Sequence, residues 1–249
     1  MDYTAWNNFV KARESFRNTV EDLSLSLPNL KGIQQKFANS RGENCAYTVE
    51  TPVVYNTALD DITNKDKVKL ILVADNPGRR EQAAENRRYL VGPSGKIAGK
   101  FFRDNPSLGI DFQKNVIILN KTPVHSPRTV ELRELCRMET ANGQLTAALE
   151  NSQRTMAELL INFHETLECP VWITGYSEMR KNGIFEVYTE SLKKLYADKK
   201  DLYKQLFVFR HFSMNQFTID LKQQALPGES VAKSLKRIGA AYRDRILYM

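Results

Sequence analysis

Polar residues close three apolar runs. Asp75 and Asn76 follow Lys69-Leu70-Ile71-Leu72-Val73-Ala74, Asn120 follows Asn115-Val116-Ile117-Ile118-Leu119, and His211 follows Leu206-Phe207-Val208-Phe209-Arg210. An amide such as Asn120 offers a donor and an acceptor to the edge of a base, and a histidine can donate to a carbonyl on which negative charge accumulates. Asp75 or Asn76 could hold or activate a water. Together these groups suit cleavage of a base from its sugar. Each also has a local reading: Asn76 before Pro77, and Asn120 before its loop, can cap turns by bonding nearby backbone, and a lone histidine is usually a satisfied core residue. The recurrence of such groups at successive run ends favours chemistry. No His/Cys/Glu cluster has metal-ligand spacing and no serine sits in a GxSxG elbow, so neither a metal, a cofactor nor an activated nucleophile is expected.

For these residues to meet, the runs must be neighbouring strands pointing the same way. The Ile, Leu and Val run at 68–73 reads as a strand buried on both faces, ended sharply by Pro77-Gly78. Residues 115–120, 170–174 (ending in Gly175) and 206–209 read as three more. Helical spacing recurs between them at about 96–102, 129–136, 151–165 and 184–196. Alternating strands and helices imply an α/β fold, a three-layer α/β/α sandwich with a mostly parallel four-stranded central sheet, whose carboxyl edge is the place for a ligand. Residues 1–40, with Trp6, Phe9, Val10, Phe16 and Val20, read as amphipathic helices packed on the sheet, broken at Pro28 and Gly32 before a shorter helix at 33–37. Cys45 to Tyr55 reads as an edge strand or extended arm because Pro52 lies inside it. The tail from Ser230 to Tyr248 reads as a basic helix. A single domain over 1–249, with its core at 68–217, accounts for the whole.

The 249 residues carry a formal net charge of +7, which suits a polyanion such as nucleic acid. Gly92-Pro93-Ser94-Gly95 opens a helix whose free N–H groups could hold a phosphate. Three dispersed cysteines, Cys45, Cys136 and Cys169, with no secretory segment point to a reducing cytoplasm. No run approaches the roughly 20 apolar residues of a membrane span.

The motifs together resemble the uracil-DNA glycosylase superfamily. Its first motif, Gly-x-Asn-Pro-Gly in the mismatch-specific and single-strand-selective branches, is similar to Ala74-Asp75-Asn76-Pro77-Gly78. The Phe-Val-Gly-x-Ala-Gly-x-Leu of the thermophile-type branch is similar to Leu90-Val91-Gly92-Pro93-Ser94-Gly95-Lys96-Ile97. A strand ending in Asn matches Asn120, and His-Pro-Ser matches His211-Phe212-Ser213. The resemblance implies a glycosylase-like sandwich that hydrolyses the N-glycosidic bond of uracil or another damaged base in DNA. It implies that Asn120 reads the base, with Pro77, Tyr89 and Leu90 beside it. His211 would stabilise the leaving anion, and Asn76 or Asp75 would position water. Gly92, Ser94, Gly95, Lys96 and Ser213 would hold the strand, and Met214 or Asn215 lies where the wedge loop enters its helix. The implied partner is single- or double-stranded DNA, bound by a monomer. Ala74, Leu90 and Phe212 depart from the pattern, Tyr89 is a possible substitute for the stacking Phe, and the four iron–sulfur cysteines of the thermophile-type branch have only Cys136 near one of their positions, so no cluster is expected. A catalytically inactive glycosylase-fold protein that binds nucleic acid or a nucleotide is the alternative these departures raise.

Overall fold

The computed structural model describes residues 1–42, 46–139 and 143–247; Cys45 and Tyr248 lie outside the described residues. Four strands, β1 (Leu70–Ala74), β2 (Val116–Asn120), β3 (Val171–Thr174) and β4 (Leu206–Phe209), form one sheet in the order β2-β1-β3-β4. All neighbours pair parallel. The helices are α1 (Tyr3–Ser26), α2 (Leu30–Ser40), α3 (Pro93–Asp104), α4 (Glu131–Met138), α5 (Gln144–Leu167), α6 (Glu186–Tyr196), α7 (Lys200–Lys204), α8 (Gln216–Gln224) and α9 (Val231–Leu247).

Strand residues alternate between two cores because successive side chains point to opposite faces. Ile71, Val73, Ile117 and Ile173 pack with Phe9 and Phe16 of α1, Phe163 of α5 and Tyr188 of α6. Leu70, Leu72, Ala74 and Trp172 pack with Phe101 and Phe102 of α3 and Phe217 of α8. Helices therefore cover both faces, which is why β1 is apolar at every position. Among the described residues no helix is long and apolar enough to cross a membrane.

Two local expectations need correcting. Gly32 does not help to separate the first two helices, and the second is not confined to 33–37; Gly32 lies in the first turn of α2, where a glycine costs only about 1 kcal/mol against alanine. Of the two readings of the segment before β1, residues 46–55 take the extended arm, joined to the body by an isolated antiparallel bridge, Val53 to Val124, and by the Val54 N–H donating to the Pro123 carbonyl at 2.9 Å. Pro52 cannot donate to a ladder there. Helix α5 begins at Gln144, a turn and more before the expected start.

The connections fix where a crevice can form. After β1 the chain leaves toward α3 on one face, and after β3 it leaves toward α6 on the other. Since β1 and β3 are neighbours, their diverging loops leave an opening at the carboxyl edge between them.

Candidate active site

Across that edge the polar strand ends follow in sheet order: Asn120 and Lys121 from β2, Asp75 from β1, Thr174 and Gly175 from β3, and His211 just beyond β4. With strands about 4.8 Å apart, β2 and β4 end roughly 14 Å from each other. Asp75 lies between them. Gly175 has φ +84°, and a Cβ on it would fall 2.2 Å from Asp75 Oδ1, so only glycine leaves room for the carboxylate.

Asp75 is anchored from two sides. Lys121 Nζ donates to its Oδ1 at 2.5 Å and to the Thr174 carbonyl at 2.5 Å, while the Thr129 hydroxyl lies 3.0 Å from Oδ2. Lys121 is fully buried, which pulls its amine below the ordinary lysine value, with the Asp75 charge opposing. Asn76 is otherwise employed. Its Nδ2 donates to the Ser126 carbonyl and Oγ, both at 3.0 Å, and its Oδ1 lies 3.1 Å from the Thr129 hydroxyl. The turn behind it is secured by His125, whose Nδ1–H donates to the Pro77 carbonyl at 2.8 Å while Nε2 accepts from Tyr47. Burial depresses His125 to about 4, so the ring is neutral.

Asn120 is paired in register with Ala74 and faces the α3 side. It is 1% exposed, and its Nδ2 has no hydrogen-bond partner among the described residues. A buried amide left without an acceptor costs about 1–3 kcal/mol, a cost a ligand carbonyl could remove. His211 stands on the same face by strand alternation. Its Nδ1 accepts the Ser213 N–H at 3.0 Å, which leaves the proton on Nε2. Desolvation lowers its pKa most, the Asp75 charge raises it and Lys121 lowers it again; the net result is a neutral donor.

The remaining expected residues divide. Leu90, with φ +54°, is buried beside Ala74 on the Asn120 face, and its carbonyl lies so close to Gly95 that a Cβ there would fall 1.4 Å from it. Tyr89 turns to the opposite face, where its hydroxyl donates to the Val54 carbonyl at 2.6 Å beside Phe16. Gly92 caps α3, with half-buried Ser94 and exposed Lys96 in its first turn. Phe212 is fully buried and stacks on Phe217 at 4.4 Å, so the departure from proline fills a core position. Ser213, Met214 and Asn215 are exposed, and the last two adopt left-handed backbone in succession, φ +52° and +58°.

Four residues without an expected role join the site: Lys121, Thr129, Gly175 and Glu81. The buried Glu81 carboxylate accepts the N–H groups of Gly78 (2.8 Å), Leu90 and Val91, tying both ends of the loop after β1; desolvation raises it to about 7. None of the four has a periodicity or spacing that singles it out in the chain. A cavity of about 410 Å³ between α1 and α5 and a groove of about 630 Å³ among α3, α8 and α9 are lined by none of the strand-end residues, although Asn215 borders the groove. Comparison with protein-family models, with curated proteins and with solved structures finds no match to this chain.

Proposed function

We propose that the protein is a DNA glycosylase that hydrolyses the N-glycosidic bond of uracil or another damaged base, on a glycosylase-like α/β/α sandwich. The observation that carries this reading is the buried Asn120 Nδ2, without a partner among the described residues, on the same sheet edge as a neutral histidine donor and an anchored carboxylate. A base turned out of its stack enters the edge between β2 and β4. Asn120 Nδ2 donates to a carbonyl on its pairing edge, and His211 Nε2–H donates to the carbonyl that gains negative charge as the bond to C1′ breaks. A donor so placed is worth about 2.7–4 kcal/mol.

Asp75 is the group for water and for the developing positive charge on the sugar. Asn76 has its amide committed to Ser126, whereas each Asp75 oxygen keeps a lone pair beyond the one taken by Lys121 or Thr129. The water loses a proton to the carboxylate as its oxygen bonds to C1′, and the base departs as an anion. Exposed Met214, at the tip of the loop after β4, is the apolar wedge that replaces the base in the stack. Lys96 and the α3 amino terminus hold flanking phosphates.

Incubation with uracil-containing single- and double-stranded oligonucleotides, followed by hot alkali, should produce strand breaks at the uracil positions. Intact strands across uracil, hypoxanthine and mismatch substrates would sink the proposal.

A further inference from the structure

Building on the glycosylase reading, we infer that Lys121 is a positioning residue, whose buried ammonium orients the Asp75 carboxylate and supplies the counter-charge that keeps it an acceptor for water. The Lys121 side chain is 0% exposed and that of Asp75 is 12% exposed. No phosphate can reach such an ammonium. It approaches from the face opposite Asn120, by strand alternation, and spends its donors on Asp75 and Thr174, with the Phe185 ring centroid 5.0 Å away.

Stability does not account for the pair. Replacing a buried ion pair by packed apolar side chains is often neutral or stabilising, so a lone buried lysine at the mouth of the crevice calls for another role. The geometry supplies one. Lys121 fixes Oδ1, Thr129 restrains Oδ2, and the space over Gly175 admits the carboxylate in one place, so its remaining lone pairs have a set direction. The titratable groups around the pair are the neutral His211 beyond β4 and Glu178 beyond β3; Glu178 lies 3.7 Å from Arg133 and also acts on Lys121.

The test is single-turnover base release from a uracil-containing single-stranded oligonucleotide, with oligonucleotide affinity measured alongside, in the wild type, K121M, K121R, D75N and D75N/K121M. K121M should release base on the order of a hundredfold more slowly with unchanged affinity for the oligonucleotide. K121R, which keeps the charge, should restore most of that rate, and D75N/K121M should be no slower than D75N. If K121M does not unfold cooperatively, K121Q, which keeps a donor without the charge, is read in the same way. A wild-type rate in K121M, or multiplicative losses in the double variant, would overturn the inference while leaving the glycosylase reading intact. Borohydride trapping of the protein on DNA through Lys121 would overturn it by making the amine a nucleophile. A wild type that releases no base from any oligonucleotide removes both.

Discussion

At the β1–β2 end of the edge, Asp75, Asn76, Lys121 and Thr129 share a network of short hydrogen bonds beneath buried Ser126 and His125. At the β4 end, His211 is held by a single backbone N–H, and the next residues run out to an exposed Met214 on left-handed backbone. A group that must present a charge in a fixed direction needs several partners, because a buried charge with a missing partner is costly. A loop that must push into a polymer needs the opposite. On the glycosylase function proposed above, the two ends would serve two tasks, fixing the water-side carboxylate and meeting the nucleic acid.

Each end can be broken separately. Asp75→Asn removes the charge yet keeps the shape, and base release should fall about 10²–10⁴-fold with oligonucleotide affinity retained, as measured by single-turnover kinetics and fluorescence anisotropy. His211→Ala should cost about 10²–10³-fold, with the loss larger for bases that leave as poorer anions. Glu81 sharpens the contrast through stability. Its folded value of about 7 lies above the ordinary 4.5, so folding takes up a proton; the contribution is fully present below 4.5 and is lost as pH rises through about 7. Urea unfolding should therefore show stability falling by about 3 kcal/mol across that window in the wild type, and E81Q should flatten the slope. The smallest effect is expected at the other end: Met214→Ala should leave stability within about 0.5 kcal/mol while slowing release from duplex, and not from single strands, by roughly tenfold.

The strand ends were legible because three runs of Ile, Leu, Val and Phe stop at polar residues, and a buried parallel strand shows itself as a continuous apolar run. The helix expected at about 96–102 was legible from its Gly-Pro-Ser-Gly opening, although it begins earlier, at Pro93 inside that opening. Lys121 was not, because nothing local tells a lysine entering a loop from a lysine turned back beneath a sheet. Thr129 reaches the site through a long-range hydrogen bond, across 54 residues to Asp75, Glu81 works within its own loop by accepting backbone N–H groups, and a lone Thr or Glu carries no periodicity. Tyr89 and Leu90 show the same limit: adjacent residues end on opposite faces because Leu90 takes a left-handed turn against Gly95. Gly32 fails differently, as helix packing overrides a weak intrinsic penalty.

What the sequence determined by itself is the set of buried strands, their polar ends and the alternation that makes them parallel neighbours, since burial on two faces demands apolar runs and the crossovers demand helices. Only the tertiary structure decided which polar ends are occupied and which are open. Asn76 and Asn120 look alike in the chain, but Ser126 satisfies the Nδ2 of one and no group among the described residues satisfies the Nδ2 of the other, because hydrogen-bond partners are assigned by the loops that fold over each strand end.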